Sequence, residues 1–130
     1  MRKIDPQILG LLEDILTSAE RIVGRLQNET VESFTSQTNL DAQDIVARRM
    51  TIMGEAASRL LKKYPEFSEQ HPELPLHHAR RMRNALVHDY NRIDWGLVWK
   101  TIHTELPQLI EAIGPYVCAV ENDEADGPKP

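Results

Sequence analysis

Residues 5–28 read DPQILGLLEDILTSAERIVGRLQN, and the spacing of their apolar positions decides the fold class. Ile8, Leu11, Leu12, Ile15, Ala19, Ile22, Val23 and Leu26 recur at steps of three and four, which gathers them on one face of a helix. Asp5 followed by Pro6 supplies an N-cap and a proline at the first helical position. The pattern predicts a long amphipathic helix over roughly residues 5–28. Outward from it, the Ser- and Thr-rich stretch TVESFTSQT at 30–38 breaks the period. Ile45, Ile52, Met53, Ala56, Leu60, Leu61 and Tyr64 then resume it, so a second helix is expected over roughly residues 40–64. Three prolines between Pro65 and Pro75, Pro72 among them, predict a connecting loop with room for a short turn. A third, shorter helix begins near Leu76. Asp94 reads as the N-cap of a fourth, in which Trp95, Val98, Trp99, Ile102, Leu106, Leu109, Ile110, Ile113 and Val117 share a face and Pro107 is expected to introduce a kink.

No run of alternating apolar residues has the length and composition of a strand, and no segment repeats another. The economical architecture is therefore an all-α, up-down bundle of four to five helices. It occupies residues 1–120, and 121–130, acidic and with Gly127 and two prolines, is expected to form a disordered tail.

At 130 residues the chain is one domain's worth. With 41% hydrophobic and 27% charged residues, it falls outside the disordered, collagen-like and membrane-embedded classes. No segment approaches the roughly 18 to 20 uncharged apolar residues needed to cross a bilayer, and MRKIDP has no secretion-signal core, so a cytoplasmic location without membrane contact is expected. The single cysteine, Cys118, is expected to be a buried, inert thiol. The net charge of −5 is unevenly spread: Glu121, Asp123, Glu124 and Asp126 face only Lys129 in the tail, while Arg80, Arg81, Arg83 and Arg92 face only Asp89 between residues 77 and 92. That local cationic segment suits either a few phosphates or a solvated helix face.

Five histidines raise the question of a metal. His77 and His78 are sequence neighbours pointing about 100° apart on a helix, and no zinc-type spacing occurs, so no metal or other cofactor is expected. The glycines form no phosphate-binding loop. What remains is Arg83 to Tyr90, RNALVHDY, which brings a guanidinium, an amide, an imidazole and a phenol into eight residues. On a straight helix Asn84 and His88 share one face and Arg83 and Tyr90 another, while Arg83 and His88 lie about 140° apart. Joining them requires the helix to unwind near Asp89, the arginine to wrap around, or two copies of the chain to pool their residues.

This segment resembles the signature of the HEPN superfamily, an arginine followed four to six residues later by a histidine, in the version with a tyrosine two residues beyond that is similar to the HepT toxins. Ile52-Met53-Gly54-Glu55-Ala56-Ala57 is similar to that family's Ile-Gly-Glu-Ala helix, and the helix carrying Val98-Trp99-Lys100-Thr101-Ile102 also fits. The likeness spans about residues 5–115. Where many relatives carry a tryptophan after a proline ahead of the motif, this chain has Leu76.

The resemblance implies a metal-independent endoribonuclease, the toxin of a type VII-like toxin–antitoxin pair, working as a homodimer with its two motifs along one cationic cleft. RNA brings its own nucleophile in the 2′-hydroxyl, so an enzyme need only move a proton and hold the phosphate. His88, with an ordinary pKa near 6.5, suits the proton transfer, and Arg83, whose planar fork pairs two phosphate oxygens, suits the clamp. Asn84 is expected to orient His88 or the phosphate, with Asp89 and Glu55 in support. Gly54 and Glu55 either orient the arginine or permit a close helix crossing, and packing is the favoured role. The resemblance further implies an antitoxin that is a minimal nucleotidyltransferase and transfers AMP to Tyr90. A different class of function also fits: a non-catalytic nucleotide- or substrate-binding partner of a nucleotidyltransferase.

Overall fold

The computed structural model describes residues 4–86 and 92–125, and the motif residues His88, Asp89 and Tyr90 lie outside that range. Among the described residues there are six α-helices and no strand: α1 (Pro6–Leu26), α2 (Val31–Thr35), α3 (Leu40–Lys63), α4 (Pro65–Gln70), α5 (Leu76–Met82) and α6 (Trp95–Ala125), with a 3-10 turn at Arg83–Leu86. The all-α bundle is as the periodicity predicts. The helix count exceeds four to five because two short helices, α2 and α4, occupy the segments expected to be irregular.

α1 begins as expected, with the Asp5 carboxylate accepting from the Gln7 N–H at 2.7 Å. It buries Ile8, Leu12, Ile15, Ala19, Ile22 and Leu26, a single stripe at alternating steps of four and three. α3 buries Val46, Met50, Met53, Ala57 and Leu60. Of the face expected from the sequence, Met53, Ala56 and Leu60 are buried and Ile45 is not. Ile45 is exposed, because Val46 and Met50 continue the 3.6-residue row that Met53, Ala57 and Leu60 set. The Tyr64 hydroxyl donates to the Gln7 side chain, so the end of α3 lies against the start of α1 and the two run antiparallel.

Phe34 explains why the Ser/Thr stretch is ordered. Thr30 and Ser33 form a reciprocal capping box that starts α2, and the fully buried Phe34 ring meets Trp95 and Trp99 at centroid distances of 5.6 and 5.5 Å. Gln43, one of the few buried polar residues, donates to the Phe34 and Ser36 carbonyls, both at 2.9 Å. α2 thus pins the start of α6 beside the start of α3. At the other end the Tyr116 hydroxyl donates to the Glu73 carboxylate and sits 3.0 Å from His71 Nδ1. Because that phenol has a single proton, His71 is the donor of the second bond. α6 therefore runs in the same direction as α3.

Asp94 caps α6 by accepting from the Leu97 N–H at 3.0 Å, and Val98, Ile102, Leu106, Leu109, Ile113 and Val117 are buried along it. The helix passes through Pro107 and Pro115 and extends to Ala125, beyond the boundary expected at residue 120; residues 126–130 lie outside the described range. Cys118 is exposed, contrary to expectation. The core row ends at Val117, and the next residue stands a further 100° around the helix.

Candidate active site

α5 turns back along α3 and buries Leu76, Ala79 and Met82. Leu76 is only 1% exposed and anchors the start of this helix. His78 Nδ1 and the Glu105 carboxylate, 2.8 Å apart, tie α5 to α6. Arg83 follows seven residues after Leu76, so helical spacing returns it to the side that faces α3. A large cationic side chain there needs room, and Gly54 supplies it. A Cβ on Gly54 would stand 2.8 Å from Arg83 Cδ and 3.1 Å from its Cβ and Cγ, well inside the 3.5–4.0 Å of comfortable carbon contact. The arginine stem therefore crosses α3 at its one side-chain-free position, while the residue as a whole remains exposed. Gly54 thus permits the close approach of the Arg83 stem.

The helix tightens to 3-10 geometry at Arg83, six residues before Asp89, where unwinding was anticipated. Arg83 lines a groove of about 330 Å³ together with Glu55, Ser58, Arg59, Lys62 and Lys63. Among the described residues, four cations thus line it against one carboxylate. No ion pair among the described residues involves Glu55, Arg59, Lys62 or Arg83. Asn84, in the same 3-10 turn, is exposed and does not line the groove. Arg83 and Glu55 are thus brought together, Asn84 lies beside them, and His88, Asp89 and Tyr90 fall outside the described residues.

Arg59, Lys62 and Lys63 were not singled out from the sequence. Their signal is present: Glu55, Ser58, Arg59 and Lys62 follow one another at steps that keep them on one side of α3, directly after the Gly54 position. Among the described residues no three histidine, cysteine, aspartate or glutamate side chains converge as a metal site, and no helix is long and apolar enough to cross a membrane.

A helical bundle that sets an arginine over a helix glycine, with three further cations along the same groove, carries a local surface of positive potential. Residues 15–115 match the family model described as Ribonuclease HepT-like. A protein of Thermococcus cleftensis named "Probable ribonuclease HepT" is 33% identical over 75% of this chain and 84% of its own length. A protein of Caldanaerobacter subterraneus subsp. tengcongensis, named as a candidate RNase, is also 33% identical, over 75% of this chain and 83% of its own length. The chain is 35% identical over 78% of its length to part of a longer Methanocaldococcus jannaschii protein, named as a gamma-glutamylcyclotransferase and candidate RNase, of which the match covers 44%. No solved structure matches. The chain belongs to the ribonuclease HepT-like family, and by that membership it is an RNA-cleaving enzyme.

Proposed function

We propose that this chain is the toxin of a type VII-like toxin–antitoxin pair, a metal-independent endoribonuclease of the cytoplasm that works as a homodimer. The carrying observation is the Arg83 stem laid over Gly54, in a residue that lines an exposed cationic groove. A guanidinium held by its stem and open to solvent is prepared to accept a phosphodiester in bidentate fashion. His88 takes the proton from the substrate's 2′-hydroxyl, whose oxygen attacks the adjacent phosphorus. Arg83 stabilises the charge that accumulates on the non-bridging oxygens, and the P–O5′ bond breaks as the 5′-oxygen takes a proton from water, leaving a 2′,3′-cyclic phosphate. Asn84 orients the imidazole or the phosphate, and Asp89 and Glu55 support the motif.

Regulation follows from Tyr90. A cognate minimal nucleotidyltransferase acts as antitoxin: the tyrosine oxygen attacks the α-phosphate of ATP, an O–P bond forms, and pyrophosphate leaves. The added phosphate is a local anion for Arg83 and competes for the space the RNA backbone needs. Co-production of the chain with its genomic neighbour, followed by intact-mass and peptide measurement, is the test. A mass increment of one or more AMP groups on Tyr90 supports the reading, and an unmodified, fully inhibited chain contradicts it.

The dimer has its own test. Arg83→Ala and His88→Ala chains are each expected to be inactive. If each site takes its arginine from one subunit and its histidine from the other, mixing the two variants restores about a quarter of wild-type activity, since half of the randomly formed dimers carry one intact site of two. No recovery after subunit exchange would contradict a shared site.

A further inference from the structure

Helix ends attract cations for a simple reason: the last carbonyls carry partial negative charge. That accounts for Lys62 and Lys63 in the last turn of α3. It does not account for Arg59, nor for the concave surface that Arg59 and both lysines share with Arg83 and Ser58. Glu55 is the one acid among the described lining residues, and neither Arg59 nor Lys62 pairs with a described carboxylate. On a chain of net charge −5, a concave group of cations that pair with no described carboxylate is an electrostatic footprint for a polyanion.

Distance along α3 separates these contacts from the scissile one. Arg83 crosses at Gly54, and Arg59 and Lys62 stand five and eight residues further on, about 7.5 and 12 Å along the axis. Stacked nucleotides advance roughly 3.4 Å each, so these side chains reach phosphates other than the one Arg83 holds. We propose that Arg59 and Lys62 form a backbone track for single-stranded RNA, which positions the strand flanking the cleaved bond, with Ser58 offering a hydroxyl to the same backbone. This rests on the ribonuclease reading for what Arg83 holds, and it adds binding residues outside the RNALVHDY motif. A track of cations without base-facing side chains grips the strand by charge and is indifferent to sequence.

The probe is a fluorescent 2′-O-methyl 12-mer, which lacks the nucleophile and stays intact on the wild-type protein. Its affinity is measured from low to high salt, beside the cleavage kinetics of the unmodified 12-mer. Each lost phosphate contact lowers the slope of log affinity against log salt by about 0.7. Arg59→Gln/Lys62→Gln is therefore expected to reduce the slope by about 1.4 and to weaken binding some 25-fold at 0.1 M salt, the loss falling on KM rather than kcat. Arg21→Gln is the control. It removes an exposed charge fourteen residues beyond Gln7, which marks the Tyr64 end of α3, so along the shared axis it lies about 13 Å from the level of Arg59 and about 18 Å from that of Lys62. Its slope and kinetics stay those of wild type. A double variant with the wild-type slope, an equal loss in Arg21→Gln, or a wild-type protein that does not bind the probe would overturn the track. The two readings separate cleanly: cleavage with an unchanged slope removes the track alone, while a reduced slope without any cleavage removes the ribonuclease reading and keeps the strand contact.

Discussion

Replacing Gly54 with alanine isolates the contact on which the site is built. The new methyl would stand 2.8 Å from Arg83 Cδ and 3.1 Å from Cγ and Cβ, so the arginine must retreat by about 0.4–0.7 Å to reach ordinary contact. Cδ belongs to a flexible stem and yields easily; Cβ moves only with the backbone of the 3-10 turn. Overpacking of this kind costs about 1–3 kcal/mol, and the exchange of glycine for alanine inside a helix returns about 1 kcal/mol. The expected net is a destabilisation of roughly 0–2 kcal/mol, which leaves the protein folded. Activity suffers more, because shifting a phosphate clamp by a sizeable fraction of an ångström costs on the order of 10- to 100-fold in rate. The assay is a double-mutant cycle in urea. In an Arg83→Ala background Cγ and Cδ are absent, and Gly54→Ala is expected to become neutral or stabilising by up to about 1 kcal/mol, a coupling of roughly 1–2 kcal/mol. Equal effects of Gly54→Ala in both backgrounds, with cleavage by the single variant unchanged, would refute the reasoning.

Other expectations follow from the fold. Phe34→Ala empties the pocket beneath Trp95 and Trp99 and should cost about 3–5 kcal/mol in chemical denaturation; a loss under about 1 kcal/mol would show that α2 does not anchor α6. Asp94→Ala removes the N-cap of α6 and is expected to lower stability by about 1 kcal/mol, with Asp94→Asn recovering most of it. The hydrogen bond from Tyr116 holds the Glu73 carboxyl below its ordinary 4.5. A depressed folded-state pKa stabilises fully above the unfolded value and loses that contribution as pH falls through the folded one. Thermal melts from about pH 6 to about pH 3 should therefore decline less steeply in Glu73→Gln than in wild type, and parallel curves would count against this bond.

The three main rows of the core could be read from the chain because helical period and caps are local signals. α1 and α6 followed their apolar positions closely, and both Asp5 and Asp94 cap as their place before a periodic run suggests. In α3, Met53, Ala56 and Leu60 are buried as their spacing suggests, but Ile45 is apolar and faces outward, and spacing alone does not choose between it and Val46. α2 was missed because what orders it, a buried phenylalanine between two tryptophans some sixty residues away, is a tertiary contact. In the site, the arginine and the Ile-Met-Gly-Glu-Ala stretch were both legible, but their relation was not: only the folded chain brings Gly54 against Arg83. Arg59 and Lys62 read as an ordinary basic helix end until the groove they line is seen.

Incubating purified protein with RNA in excess chelator, as wild type, Arg83→Ala and His88→Ala, goes most directly to the heart of the account. Chelator-resistant cleavage is expected of the wild type, with a loss of at least 100-fold, on the order of a removed acid–base or charge-stabilising group, in each variant. RNA left intact by the wild type, or cut undiminished by either variant, would contradict it.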